Sequence, residues 1–171
     1  MIYGLALIWT VFAFFVCDFM GYAFHRFLHT KYAGPFHRNH LVHHLEKYPA
    51  NDFTSPDYRK AGKANTLWPF LATGLFIGAV ALWLTPLWFS LPLIFNLSLV
   101  GYLNDTIHES THLNPTKLVK YQWFRVLRDL HLQHHLNLKT NYGIFSFWAD
   151  RLAGTYRLPS QKARTRFKLD K

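Results

Sequence analysis

Residues 64–104 form a long stretch without a charged side chain, which reads ANTLWPFLATGLFIGAVALWLTPLWFSLPLIFNLSLVGYLN. As continuous helix, this stretch would be about 60 Å long, twice the roughly 30 Å of hydrocarbon in a bilayer. Thr85-Pro86 lies midway and is typical of a turn, and Trp83 and Trp88 flank it as aromatic residues do at membrane interfaces. The stretch therefore predicts two transmembrane helices, Leu67–Leu84 and Leu87–Asn104.

A third apolar stretch, Ile2–Phe24, is also long enough to cross a bilayer and carries one charge, Asp18. It lacks the basic start and the small-residue cleavage site of a signal peptide. Buried helices of a soluble protein would usually show shorter apolar runs, of about 10–14 residues. We therefore predict an all-α integral membrane protein with about three transmembrane helices, and we expect residues 1–171 to form a single domain.

The composition excludes several classes of protein. Half of the residues are apolar, which excludes a disordered chain. The single cysteine, Cys17, excludes an internal disulfide framework and the paired-cysteine zinc motifs. Only two glutamates are present, Glu46 and Glu109, which excludes the carboxylate-rich di-iron site of soluble four-helix bundles. There is no GxSxG, GxGxxG or Walker sequence, so neither a nucleophile elbow nor a nucleotide site is indicated.

The distribution of charge predicts the topology. A net charge of +10 by itself raises the question of nucleic-acid binding. However, all 19 Lys and Arg residues lie in residues 26–63 and 117–171, which share one side of the membrane if the chain turns at Thr85-Pro86. The positive-inside rule makes that side cytoplasmic and places the N-terminus outside. We therefore expect no nucleic-acid partner, and the basic tail, residues 157–171, either faces anionic lipid headgroups or is solvated.

All 11 histidines lie in two windows that this topology brings together on the cytoplasmic side. Each window has an HxxxH pair followed by an HxxHH triplet: His25 and His29, then His40, His43 and His44; His108 and His112, then His131, His134 and His135. Helical residues at i, i+3 and i+4 share a face, so each set can direct several imidazoles to one place. Neutral imidazole binds Zn, Cu, Fe and Ni, and ten histidines provide about five ligands for each of two ions.

Other residues are expected to support this site. A ligating histidine usually donates its second ring N–H to a carboxylate or a carbonyl, and Asp18 and Asp105 are at helical spacing from the histidines. His37 fits neither pattern, and we expect it to support a ligand or to lie at the surface. The stretch Asn114–Leu138 predicts an amphipathic helix capped by Asn114, with Arg128 away from its histidine face. Together these segments predict a cytoplasmic, histidine-rich helical cap.

The four histidine motifs, in this order, resemble the fatty acid hydroxylase / sterol desaturase superfamily of membrane oxygenases. The similarity extends to His131–Tyr156, HLQHHLNLKTNYGIFSFWADRLAGTY, in which the last histidine motif is followed by an Asn-Tyr-Gly sequence and by an Asp-x-Leu-x-Gly-Thr run. Two positions depart from the family pattern, since Ala149 stands where Trp usually precedes the Asp and Ala153 where Phe is usual.

The resemblance implies a non-haem centre of two iron ions, with zinc as an alternative occupant in purified protein. It implies that the ten motif histidines are the metal ligands and that Asn141 supports them, with no further catalytic residue. Members of the superfamily use O2 and two electrons, delivered by a small cytochrome or ferredoxin with its reductase, to hydroxylate or desaturate a C–H bond of a lipid. A carotenoid ring hydroxylase is the alternative within this class. A non-enzymatic membrane metal or electron carrier is the alternative outside it.

Overall fold

The computed structural model describes residues 2–60 and 67–166, and within these ranges every regular element is helical. The predicted all-α class is therefore confirmed for the described residues. Three short turns of other helical types interrupt or join the α-helices, namely 3-10 turns at Lys31–Ala33 and Lys117–Lys120 and a π turn at His43–Lys47. The α-helices are α1 (Ile2–Leu28), α2 (Pro35–Val42), α3 (Leu67–Leu84), α4 (Leu87–His112), α5 (Gln122–Leu136), α6 (Trp148–Leu152) and α7 (Gln161–Arg166).

Two helices in the described part of the chain, α1 and α4, are long and apolar enough to cross a membrane. Both continue beyond the predicted spans, α1 by four residues past Phe24 and α4 by eight past Asn104. His25 therefore stays on α1, and His108 and His112 stay on α4. Helix α3 has the predicted bounds, and the part of it that was assessed as an apolar helix, Gly74–Leu84, is too short to cross a membrane by itself. The third membrane span therefore stays a prediction.

Helix α4 packs between α1 and α3. The buried residues of this contact are mostly small or aliphatic: Ala13 and Cys17 from α1, Ala81 from α3, and Leu93, Leu97 and Val100 from α4. Small side chains allow helix backbones to approach closely in a membrane. Polar contacts among the described residues also join α1 to α4. Trp9 donates its Nε1–H to the Phe89 carbonyl at 2.6 Å, Asn96 donates its amide to the Thr10 carbonyl at 3.0 Å, and the Cys17 thiol donates weakly to the Leu93 carbonyl at 4.0 Å.

The outer faces of these helices are apolar. On α1, large apolar side chains such as Leu7, Ile8 and Phe12 are more than half exposed, and on α3 Trp83 is 84% exposed. A contiguous apolar surface of this kind is typical of contact with lipid or with another protein. Taken with the length of α1 and α4, it indicates a membrane protein.

The predicted helix Asn114–Leu138 is wrong at its start, since α5 begins at Gln122. The Asn114 N–H donates to the Ser55 carbonyl at 3.0 Å, and the Ser55 N–H donates to the His112 carbonyl at 2.9 Å. This short bridge uses the backbone that was expected to begin the helix, and a 3-10 turn capped by Thr116 follows it.

The expectation for Arg128 is also wrong, because its side chain is buried and shares the inner face of α5 with the histidines. It donates to the carbonyls of Thr111, at 3.2 Å, and Leu113, at 3.4 Å. The last carbonyls of a helix have no partner within the helix, so Arg128 ties α5 to the end of α4. In the basic tail, residues 167–171 lie outside the described residues.

Replacing Asn96 by Leu should remove one hydrogen bond between α1 and α4 and destabilise the protein by about 1 kcal/mol. Ser98→Ala is the matched control, because the Ser98 hydroxyl donates within its own helix, to the Ile94 carbonyl. Unfolding in detergent measures both variants. Equal stability of N96L and the unmodified protein would show that the Asn96 contact does not hold the helices together.

Candidate metal centre

The ends of four helical segments supply the histidines of the site. His25 lies in the last turn of α1 and His29 directly follows that helix; His40 ends α2, and His43 and His44 begin the π turn; His108 and His112 end α4; His131, His134 and His135 lie on α5. Segments far apart in sequence therefore meet at one end of the α1–α4 pair, as the sequence predicts.

The structure sorts nine of these ten histidines into two clusters, and within each cluster the ligand nitrogens lie no more than 4.8 Å apart. The first cluster contains His25, His29, His40, His44 and His134, and the second contains His43, His112, His131 and His135. The tenth, His108, lies beside the second cluster, with its ring centroid 4.8 Å from those of both His43 and His131. Each HxxHH triplet contributes to both clusters.

Each HxxHH triplet divides between the two clusters in the same way. His40 and His44 join the first cluster and His43 joins the second, whereas on the regular helix α5 His131 and His135 join the second cluster and His134 joins the first. The rings at i and i+4 therefore stay together and the ring at i+3 turns to the other cluster. From His43 onward the first triplet's helix continues as a π turn, in which the Tyr48 N–H bonds to the His43 carbonyl five residues earlier, at 2.9 Å. Single π turns inside helices occur frequently at functional sites.

The spacing of the nitrogens fits a metal ion in the first cluster. The Nε2 atom of His29 lies 2.9 Å from that of His40 and 3.1 Å from that of His134, and the Nε2 atoms of His40 and His44 are 3.0 Å apart. Two nitrogens at right angles around an ion about 2.1 Å away are about 3.0 Å apart. In the second cluster, the Nε2 atoms of His112 and His131 are 3.1 Å apart.

Burial keeps these rings in the form that binds metals. It lowers the pKa of His40, His43, His44, His131, His134 and His135 well below the usual 6.5, and neighbouring imidazoles lower it further. The imidazoles are therefore neutral at pH 7, as metal ligation requires.

The unsatisfied nitrogens give an independent test of fit. Among the described residues, six buried ring nitrogens have no hydrogen-bond partner, namely the Nε2 atoms of His25, His43 and His135 and the Nδ1 atoms of His40, His44 and His131. A buried polar atom without a partner costs about 1–3 kcal/mol. One cation in each cluster would satisfy the three Nε2 atoms, since His25 belongs to the first cluster and His43 and His135 to the second. The residues present therefore fit a pair of metal ions.

Backbone carbonyls orient four of the histidines through Nδ1. His25 bonds to the Tyr142 carbonyl at 2.6 Å and His134 to the Thr140 carbonyl at 2.6 Å. His112 and His135 bond in the same way to the carbonyls of Phe53, at 2.9 Å, and Tyr48, at 2.7 Å. Because a carbonyl only accepts, each Nδ1 carries the proton and each Nε2 is left to bind a metal.

The three residues expected to support the ligands lie elsewhere in the hydrogen-bond network. Asp18 accepts from the Ser146 hydroxyl and the Trp148 indole, which ties α6 to α1. Asp105 is partly buried and lines a pocket that also reaches His25 and His108. Asn141 has a positive φ of 54° and holds the backbone at Leu130 and Arg157. Their role in supporting the ligands stays a prediction.

His37 does not join either cluster. Its Nδ1 bonds to the carbonyl of Leu28, the last residue of α1, at 2.7 Å. This contact joins α2 to the end of α1, which carries His25 and leads into His29. Whether His37 supports a ligand or is a surface residue stays a prediction.

Asp150 lies within the C-terminal motif, but the sequence pattern assigns no separate role to it. Its side chain is fully buried and accepts from the backbone N–H groups of Tyr142, at 2.8 Å, and Gly143, at 2.7 Å, and from the Thr155 hydroxyl, at 2.7 Å. The position of Asp150 between the Asn-Tyr-Gly and Gly-Thr sequences is the feature of the sequence that could have indicated this role. A carboxylate buried between two such sequences needs hydrogen-bond donors, and both sequences supply them.

A mainly apolar pocket opens between α1 and α4 and reaches the histidines. Its cavity volume is about 70 Å³, and it is open to the surroundings. Its lining includes Gly21, Phe24, Leu28, Gly101, Asn104, Asp105 and Ile144, together with His25, His40 and His108. Both helices that line it qualify as membrane spans, so an apolar molecule in the bilayer could approach the clusters by this route.

Comparison with known proteins identifies one family. The family model described as fatty acid hydroxylase matches residues 10–155. The match begins within α1, ends at Thr155 and includes all ten motif histidines. Neither the curated proteins nor the solved structures give a significant match.

Purified protein reconstituted with metal should hold about two ions per chain, and His134→Ala should weaken binding at the first cluster. His37→Ala is the matched control, since His37 lies outside both clusters. Elemental analysis of the folded protein measures the metal content. A metal-free protein after reconstitution, or an H134A variant with unchanged affinity for both ions, would contradict the assignment of these clusters.

Proposed function

The chain belongs to the fatty acid hydroxylase family, and we propose that it is a membrane-bound di-iron oxygenase that hydroxylates or desaturates a C–H bond of a lipid. In the hydroxylation reaction, one atom of O2 enters the lipid as a hydroxyl group and the other leaves as water. This stoichiometry consumes two electrons and two protons. The proposal identifies the two histidine clusters as the metal sites.

The observation that supports this proposal most is the pair of adjacent, buried clusters built from nitrogen ligands. Iron bound at these clusters supplies the activation of O2 that the attack on an unactivated C–H bond requires. The rings of His44 and His135, from different clusters, are 4.1 Å apart between centroids, so the two sites are close enough to act on one substrate. Family membership favours iron over zinc or copper, a choice that imidazole ligands alone do not make.

The protein's own residues orient the imidazoles and exclude water from the metal sites. The carbonyls of Tyr142, Thr140, Phe53 and Tyr48 hold four imidazoles in one tautomer. The rings of Tyr48 and Phe53 are buried against His112, with centroids 4.0 and 4.6 Å from it. Such packing keeps bulk water away from the metal sites, which limits side reactions of an activated oxygen species.

We propose that the lipid enters through the pocket between α1 and α4. The pocket is lined mainly by apolar atoms and glycines, it contacts histidines of the first cluster, and His108 lies at its wall. A C–H bond of an acyl chain or ring could therefore approach the clusters from the bilayer. The pocket does not select among a fatty acid, a sterol, a sphingolipid and a carotenoid.

The proposed topology places the histidine cap and the C-terminus in the cytoplasm and the N-terminus outside, with α3 as a third span. Its support is the distribution of Lys and Arg, since all of them lie in residues 26–63 and 117–171, that is, from the last turn of α1 onward and after α4. A basic cytoplasmic face would attract an acidic electron donor. A small cytochrome or ferredoxin, reduced by its reductase, is the donor that we propose.

Membranes containing the protein, an electron-donor system and ¹⁸O2 should yield a lipid carrying one ¹⁸O atom if the reaction is a hydroxylation, or an unlabelled lipid that has lost two hydrogens if it is a desaturation. Mass spectrometry identifies either product. The H134A variant should give neither, whereas H37A should be active. Products found only in carotenoid-containing cells would favour a ring hydroxylase. A Soret band in the purified protein, or neither product with both metal sites loaded, would favour a carrier and contradict the proposed activity.

Gly21→Leu should lower kcat/KM for the lipid by about 10-fold or more without changing the metal content, because the new side chain would fill the pocket. A Cβ atom at Gly21 would already lie 2.6 Å from the Asn104 amide nitrogen. Gly4→Leu is the control on the same helix, since nothing lies within 4 Å of a Cβ there. Equal turnover of G21L and the unmodified protein would contradict lipid entry by this route.

A further inference from the structure

The contact between Asp150 and the histidine cluster passes through a single peptide group. The Gly143 N–H donates to Asp150 Oδ2 at 2.7 Å, and the Tyr142 carbonyl accepts from His25 Nδ1 at 2.6 Å. These N–H and C=O groups belong to the same peptide bond, which joins Tyr142 to Gly143. In a trans peptide they point in opposite directions, so the carboxylate and the imidazole lie at opposite ends of one dipole.

The Asp150 carboxylate accepts hydrogen bonds from neutral donors. Asp150 is fully buried, and its described partners are the N–H groups of Tyr142 and Gly143 and the Thr155 hydroxyl. A negative charge near the N–H end of a peptide polarises it, and hydrogen bonds in series strengthen one another in a medium of low dielectric. The Tyr142 carbonyl is thus a stronger acceptor for His25 than an ordinary backbone carbonyl.

Two other carbonyls that orient histidines belong to peptide groups that are not bonded to a carboxylate in this way. The carbonyl that orients His134 belongs to the Thr140–Asn141 peptide, whose N–H donates to the neutral Thr155 carbonyl at 3.1 Å. The carbonyl that orients His135 belongs to the Tyr48–Pro49 peptide, which has no N–H. Of these three peptides, only the one that serves His25 is bonded to a carboxylate.

The backbone around Gly143 is packed for this arrangement. A Cβ atom at that position would overlap the backbone carbonyl of Ser146 and would lie 3.0 Å from Asp150 Oδ2. On the other side of the loop, Ser146 and Trp148 donate to Asp18 on α1. The peptide is therefore held against α1, the helix that carries His25, as well as against Asp150.

We propose that Asp150 is a positioning residue that acts through the Tyr142–Gly143 peptide to set the orientation and basicity of His25, and thereby the metal affinity of the first cluster alone. This inference rests on the proposed function, in which each cluster holds one ion. It is equivalent to a carboxylate that supports a ligating histidine directly, with one peptide group inserted between them. His25 belongs to the first cluster only, so the second cluster should be unaffected.

The test is a cobalt titration of the full-length, metal-stripped protein in detergent, followed by the visible absorption of bound Co²⁺ and by elemental analysis. The unmodified protein should bind two ions. Asp150→Asn should bind one ion with unchanged affinity and the other 10–100-fold more weakly, the range typical for the loss of a group that supports a metal ligand. Thr155→Val, which removes a neutral partner of the same carboxylate but not the Gly143 contact, should bind both ions normally.

A double-mutant cycle separates action through His25 from a general loss of structure. If Asp150 acts through His25, D150N should weaken cobalt binding no further in a His25→Ala protein. Equal weakening at both sites, additive effects in the cycle, or two ions bound by D150N at unchanged affinity would each overturn the inference.

Two further results complete the test. If D150N does not fold, Asp150→Glu takes its place, because the extra methylene displaces the carboxylate from the Gly143 amide. Selective weakening of cobalt binding at one site by D150E supports the inference. Normal binding of both ions by D150E overturns it. An unmodified protein that binds no cobalt would instead contradict the proposed function, and the inference with it.

Discussion

The structure depends on packing ten imidazole rings, from four segments of the chain, into one buried volume. Each ring must stay neutral, because several positive charges a few ångströms apart in a medium of low dielectric would repel strongly. Each ring must also have its Nδ1 and Nε2 atoms in defined environments, since unpaired buried nitrogens are costly. The lowered pKa values of the described histidines outside the spans and the carbonyl partners of four rings both follow from this constraint.

The rest of the cap is arranged to meet that requirement. Long helices α1 and α4 bring His25, His108 and His112 to the same end of the bundle without a break. Two irregular segments then deliver backbone carbonyls, one between the π turn and α3 and the other after α5. Irregular backbone is suited to this task because its carbonyls are not already used in a helix. The connections between the helices are therefore as much a part of the site as the helices themselves.

Charge has two separate roles in this protein. The Lys and Arg residues lie outside the apolar stretches, where they predict topology, and Arg128 is a buried exception that ties α5 to the end of α4. The carboxylates Asp18 and Asp150 are buried and accept from neutral donors. Asp18 holds the C-terminal segment against α1, and Asp150 holds that segment together. Because the Tyr142 carbonyl of this segment orients His25, the motif that follows the last histidines also contacts the first ones.

The sequence by itself determined the helical class, the apolar helices and the histidines that could ligate a metal, because periodicity, hydropathy and residue type are local properties. It also placed the bounds of α3 correctly, but it began α5 too early at Asn114, where pairing with Ser55 takes the backbone. Only the tertiary structure decided which histidines share a cluster, since each cluster combines rings from segments far apart in the sequence and each HxxHH triplet divides between the two clusters. It also decided what orients those rings: every residue has a carbonyl, so no side-chain pattern could identify Tyr142, Thr140, Phe53 and Tyr48 as the acceptors.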